Sequence, residues 1–390
     1  MHNGVATKQL STLARLAQDR LARRFPADAP TLAIHLPGSG QLMFGTGAPK
    51  ATIVVNSTTG MAALASLDAT RLAEAYRNGA LEVVGDLQSV LSLRALFPDR
   101  HPLTSAWRYL RPRLFGQIAS DAAWIADHYE YADEFYMRFL DRRHRCYSQA
   151  VFASDDEPLE DAQSRKLQFA VDAVQARPGD RVLDIGGGWG AFSEYGGRLG
   201  LHVTSLTLSR ASESFIQRMI ESQRLPCRVL REHFFQHQPD QPYDAIVNLG
   251  VTEHLPDYPA TLVKYRQLLK PGGRVYLDAS AARTSHDVSA FVLRHLFPGN
   301  GTVLCLDKYV KAVSRTPFAI LNVVNDRHNY LLTAKHWAEN LDRNRDEIVA
   351  GWGEPLYRTF RLYLWGCVDG FTRDIIQAYR LVLELPGAVR

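Results

Sequence analysis

The chain has 390 residues, 46% of them hydrophobic, and a formal net charge of +4, the composition of an ordinary globular protein of two or more domains. No apolar run nears the ~20 residues of a membrane span, and Met1 to Lys8 lack the apolar centre of a signal peptide, so a cytoplasmic location is expected. Cys146, Cys227, Cys305 and Cys367 are isolated from one another and from histidine clusters, which excludes a disulfide framework and structural zinc; no metal site is expected, and no nucleic-acid module is present.

In chain order, Thr7 to Arg24 reads as a helix. Short strands follow at Leu32 to Leu36, Gln41 to Phe44 and Ala51 to Val55, and then helices, which makes residues 1–105 a small α+β domain. From His101 to about Ala119 the composition turns to Arg, Pro and Trp, a connector, and residues 120–175 read as helical with aromatic residues on several faces. Arginines gather at Arg108 to Arg113 and Arg142 to Arg145. Such clusters suit anionic headgroups or phosphate, and equally suit a solvated surface with ion pairs to Asp133, Glu134 and Asp141.

From residue 176 the pattern changes. Strands at 181–185, 201–206, 227–231, 243–248 and 273–277 alternate with helical stretches, which predicts an α/β, doubly wound, mainly parallel sheet with its ligand at the carboxyl ends of the strands. Residues 279–326 interrupt that pattern as an aromatic-rich insertion suited to shaping a substrate cavity, with a strand-like piece at Phe318 to Val324.

The most informative stretch is Arg181 to Gly190, an apolar strand running through Asp184 into a turn built on Gly186, Gly188 and Gly190. A turn without side chains lets a ligand approach the backbone, and Gly186, Gly188 and Ala191 also fit the dinucleotide spacing, so the turn alone does not separate NAD from S-adenosylmethionine. Asp184 stands where it can accept from a cationic amino acid moiety, and the second strand ends in Thr207 instead of the acid that grips an NAD ribose. Both features favour the methyl donor.

Several pieces then occur in one order: His128-Tyr-Glu130, Tyr147-Ser148, Ala162-Gln163 with Lys166, Val182 to Gly190, Thr207-Leu-Ser209, Glu253-His254 and Leu269 to Gly273. In that order they resemble the cyclopropane fatty acid synthases, and Leu72 to Leu87 resembles that family's N-terminal domain, so nearly the whole chain is covered. The resemblance implies a class I methyltransferase (Rossmann-like) fold with a lipid-associated N-terminal domain at 1–105, a helical connector and lid at 106–175, and the methyltransferase domain at 176–390. It implies S-adenosylmethionine as cofactor, lined by Tyr147, Ser148, Asp184, Gly186, Gly188, Trp189, Thr207, Ser209, Ser212 and His233. The implied acceptor is a cis double bond in an unsaturated, phospholipid-borne acyl chain, giving a cyclopropane or a methyl- or methylene-branched product. Peripheral contact with a membrane surface follows, and a homodimer is compatible with it.

Glu253 and Tyr330 are expected at the reacting centre. The family carries Cys where this chain has Gln149 and His where it has Asp278, and in the family those residues help to hold a bicarbonate ion. That cradle reads as broken here. The expectation is that Glu253 or Asp278 acts as base directly, with Tyr330 orienting the carboxylate and Gln149 beside it. Two other readings stand: methylation of nitrogen or carbon in a small metabolite, and a lipid-binding partner subunit without transfer chemistry.

Overall fold

The computed structural model describes residues 2–38, 40–99, 133–283, 289–297 and 302–387. The Arg108 to Arg113 cluster, the His128-Tyr-Glu130 motif and most of the expected connector lie outside those residues. The chain divides into two compact units: Met1–Thr104 with Ser289–His295 and Leu341–Asp369, and Ser105–Val288 with Leu296–Asn340 and Gly370–Arg390.

In the first unit four strands, β1 Leu32–Leu36, β2 Gly40–Phe44, β3 Ala51–Val55 and β4 Leu81–Gly85, form a sheet of order β2-β1-β3-β4. Alternation puts Leu32, Ile34, Ile53, Val55 and Leu81 on one face, where they bury against Met61 and Leu64 of the helix Thr58–Ser66. Ser57 and Asp68 start the helices Thr58–Ser66 and Ala69–Arg77 by accepting from the backbone N–H groups of Gly60 (3.1 Å) and Arg71 (2.9 Å). Leu341–Asp369 belongs here and not with the second sheet. Arg361 reaches the Tyr76 hydroxyl (2.9 Å), and Gln88 donates to the Trp365 carbonyl (3.0 Å). Helical periodicity alone gave no reason to detach this segment from its neighbours in sequence.

The second unit is an α/β fold around a seven-stranded sheet of order β10-β11-β9-β8-β5-β6-β7. Its strands are β5 Arg181–Ile185, β6 His202–Thr207, β7 Arg228–Arg231, β8 Tyr243–Leu249, β9 Leu269–Ala281, β10 Ala319–Asn325 and β11 Gln377–Glu384. β5 to β9 pair in parallel, whereas β11 runs antiparallel between β9 and β10. The expected doubly wound sheet is therefore present. Two differences have physical reasons. The segment 279–326 is not wholly an insertion, because it opens with the end of β9 and closes with β10, a strand of the sheet itself. Residues 137–158 are turns and irregular backbone where helix was expected, because Asp141 accepts from the backbone N–H groups of His144 and Cys146 and holds a turn.

Both faces of the central strands are covered, so Val182, Leu183, Ala245, Ile246, Val247, Val275 and Leu277 are fully buried, as their continuous apolar runs require.

Candidate functional site

The site grows from the end of β5. Gly186, Gly188 and Gly190 take φ of 78°, 52° and 78°, left-handed values that favour glycine. A methyl group on Gly186 would lie 2.3 Å from Val251 Cγ2, and one on Gly190 would lie 2.9 Å from Met219 Cε, so two of the three glycines also answer to packing. The Gly187 N–H donates to the Leu206 carbonyl (2.8 Å), fixing the turn against β6. The helix Ala191–Arg198 starts immediately after it.

This turn forms one wall of a cavity of about 240 Å³. All ten residues expected to line a cofactor line it: Tyr147, Ser148, Asp184, Gly186, Gly188, Trp189, Thr207, Ser209, Ser212 and His233. Asp184 is buried and accepts from the Ser205 hydroxyl (2.6 Å), which in turn meets Ser193 (2.6 Å). Burial pushes its carboxyl up to about 6, against the pull of the Ser205 bond and the Lys166 charge. A cation in the cavity would favour the ionised form. Ser209 caps the helix Arg210–Gln223 by accepting from the Ser212 N–H (3.3 Å), and the Ser212 hydroxyl returns to the Gly188 carbonyl. Strand end, glycine turn and helix start are thus stitched together. The His233 ring stacks on Phe235 at 5.5 Å and accepts from its backbone N–H (3.2 Å).

Aromatic rings back the wall beside Tyr147, which packs on Tyr136 (5.4 Å), Phe139 (5.9 Å) and Trp337 (5.4 Å). Trp189 packs on Tyr136 (5.4 Å) and Phe215 (5.8 Å). The lining also includes the apolar side chains of Val251, Leu255, Leu296 and Phe297.

The four residues expected at the reacting centre do not line this cavity. Glu253 and Gln149 each adjoin a lining residue in sequence, His254 and Ser148. One of the Glu253 oxygens accepts from both the N–H (2.6 Å) and the hydroxyl (2.8 Å) of Ser280, and the other is buried without a hydrogen bond. Burial, opposed by the Ser280 bonds, pushes its pKa up to about 7. Ser280, and not Tyr330, is thus the residue seen to orient the carboxylate. The Tyr330 ring stacks on Phe371 at 4.8 Å, and its backbone N–H donates to the Asp326 carbonyl (2.9 Å). Gln149 is fully buried and donates to Asp326 (2.8 Å). Asp278 is fully buried, 4.0 Å from the Lys166 ammonium, with neither oxygen hydrogen-bonded; burial raises its pKa to about 6.

An oxygen of Gln149, one of Glu253 and both of Asp278 are unsatisfied acceptors. A bicarbonate ion offers mostly acceptors and a negative charge, so these side chains do not fit it. Among the described residues no cluster of His, Cys, Asp and Glu suits a metal ion.

The Arg142 to Arg145 stretch is largely paired within the protein. Arg143 meets Asp161 (2.7 Å), and Arg145 meets Glu194 while its guanidinium lies 5.6 Å from the Phe215 ring centre. The partners are therefore Asp161 and Glu194, from later in the chain, instead of the neighbouring acids. Reading the sequence also missed Lys166 as a lining residue and Ser280 as a partner of Glu253. Lys166 had a signal, its place three residues after Gln163 on a helix that leads into β5; Ser280 had none beyond lying two residues after Asp278 on β9.

Comparison with known proteins adds to this geometry. The profile of the family described as mycolic acid cyclopropane synthetase matches residues 117–381. A probable fatty acid methyltransferase of Pseudomonas putida is 27% identical over 379 residues, covering 91% of this chain and 94% of its own. The crystal structure of mycolic acid cyclopropane synthase CmaA1 complexed with SAH and CTAB gives a TM-score of 0.63 at 26% identity, over 67% of this chain and 98% of that one. Coclaurine N-methyltransferase bound to N-methylheliamine and SAH gives 0.65 at 19% identity, over 80% and 98%, a likeness of fold alone.

Proposed function

We infer that this chain, which belongs to the mycolic acid cyclopropane synthetase family, adds a one-carbon unit to the cis double bond of an unsaturated acyl chain carried on a phospholipid. It has the class I methyltransferase fold and is an S-adenosylmethionine-dependent methyltransferase of the cyclopropane synthase type. The observation that carries the finer reading is a cavity with two characters. Its lining combines polar groups carried on strand ends, Asp184, Ser148, Thr207 and Ser209, with the apolar side chains Val251, Leu255, Leu296 and Phe297.

The polar groups of the lining fit an adenosyl amino acid. Asp184 would take its ammonium group, and the glycine turn leaves room for the chain of atoms between ammonium and sugar. Once bound, S-adenosylmethionine supplies a methyl group made electrophilic by a sulfonium. The apolar side chains would hold hydrocarbon and exclude water, which places a weak nucleophile, a carbon–carbon double bond, for long enough to react. A new carbon–carbon bond formed from those π electrons, as the methyl–sulfur bond breaks and its electron pair stays with the departing thioether, would leave positive charge on the acyl chain. A base must then take a proton, so that the lipid gains CH2 in total.

We assign that base to Glu253. Its unbonded oxygen and its pKa of about 7 leave it able to accept a proton near neutrality, while Ser280 fixes its other oxygen. Asp278 is the weaker candidate, because the Lys166 ammonium 4.0 Å away is its counter-ion. A proton taken from the transferred carbon closes a cyclopropane; one taken after a hydride shift leaves a methylene branch.

The test incubates the purified protein with methyl-labelled S-adenosylmethionine and phosphatidylglycerol vesicles bearing cis-monounsaturated chains, followed by lipid mass spectrometry. Labelled lipid heavier by one CH2 is expected. If the label stays out of lipid and enters small amines, the phospholipid reading is wrong.

A further inference from the structure

The sharpest unexplained feature of the cavity is a buried lysine. Lys166, on the helix Leu159–Ala173, is fully buried and lines the cavity with Ser148 and Asp184. Its ammonium donates to the Ser148 hydroxyl at 2.6 Å and stands 4.0 Å from Asp278, beyond hydrogen-bond reach. Burying a charge without a tight carboxylate partner is unfavourable, and a neutral side chain would fill the same space at lower cost.

We propose that Lys166 is a positioning residue for the carboxylate end of the methyl donor's amino acid, acting through the Ser148 hydroxyl. This rests on the S-adenosylmethionine reading above.

An ammonium can only donate. Its bond to Ser148 therefore uses a lone pair of the serine oxygen and leaves the serine proton for another acceptor. The described residues supply no acceptor for that proton, while Ser148 itself lines the cavity. Lysine charge behind the hydroxyl polarises it, so that the wall presents one oriented, strengthened donor.

The donor's amino acid is a zwitterion. Asp184 matches its ammonium, and the carboxylate needs positive charge nearby. Two cations line the cavity, Arg145 and Lys166. Arg145 is engaged by Glu194 and by the carbonyls of Trp189 (3.4 Å) and Arg143 (3.3 Å). Lys166 is the one with a relay to the lining. Asp278 behind it then supplies a counter-charge 4.0 Å from the lysine, which accounts for a buried aspartate at a position that does not reach the cavity.

The experiment is titration calorimetry of the full chain with two ligands, S-adenosylhomocysteine and 5′-methylthioadenosine, which shares the nucleoside and thioether and lacks the amino acid. Lys166→Met should weaken S-adenosylhomocysteine by about 10- to 100-fold, the range for a lost bond to a charged group, and leave methylthioadenosine unchanged. Ser148→Ala should show the same contrast. Unchanged methylthioadenosine binding also certifies the fold of each variant. Equal losses for both ligands, or no loss for either, would overturn the proposal and make Lys166 structural. Wild-type protein that binds neither ligand would instead sink the S-adenosylmethionine reading itself, and this inference with it.

Discussion

At the scale of single residues the proposed base is Glu253. Replacing it by Gln keeps shape and the bonds from Ser280 while removing the base, so methyl transfer should fall by about 10²- to 10⁴-fold with S-adenosylhomocysteine affinity unchanged; equal transfer by the variant would refute the assignment. Wild-type turnover should rise with pH through about 7 and then level, as the buried carboxylate ionises. Stability runs the other way. A carboxyl whose folded pKa lies above its unfolded value binds more protons when folded, so its contribution is intact below about 4.5 and is lost as pH climbs through about 7. Melting temperatures should therefore favour Glu253→Gln over wild type at pH 8 more than at pH 5, and a gap independent of pH would contradict the raised pKa.

At the scale of elements, the turn after β5 makes an uneven demand on its glycines. An added methyl meets Val251 Cγ2 at 2.3 Å from Gly186, yet from Gly188 nothing is nearer than 3.9 Å, although both have positive φ. Gly186→Ala should therefore lower the melting temperature more than Gly188→Ala, which bears only the left-handed backbone cost of about 1–2 kcal/mol; the reverse order would mean that Val251 yields. Much of this layout was legible in advance. β5 and β8 carry apolar runs that lead to a glycine, and the ten residues tied to the glycine turn and its neighbouring strand ends all meet at one cavity. β4 and β11 were not legible. Leu81 to Gly85 follows the helix Ala69–Arg77 after a short turn and reads as its continuation, while Gln377 to Glu384 mixes Tyr, Arg and Leu and becomes a strand only because β9 and β10 leave a slot for it. Side-chain partners were harder still. No local pattern announces that Ser280 holds Glu253 or that Lys166 reaches Ser148, because such pairs are made by tertiary packing.

On the scale of the whole molecule, a lipid in a bilayer must be met at a surface. The formal charge of +4 is small, and with Arg143 and Arg145 paired internally the attraction to anionic headgroups should be modest and easily screened. Vesicles rich in phosphatidylglycerol should sediment the protein at low ionic strength and release it in high salt; no sedimentation at any ionic strength would remove electrostatic docking from the account. Among the described residues no helix is long and apolar enough to cross a bilayer.

The placing of β11 also bears on how the protein is made. β9 and β10 leave the ribosome well before the strand that must lie between them. Until it arrives, each nascent chain carries bare backbone edges open to pairing with another copy. Chaperone demand should thus peak late in translation, and ribosomes stalled short of residue 377 should yield chains prone to aggregate.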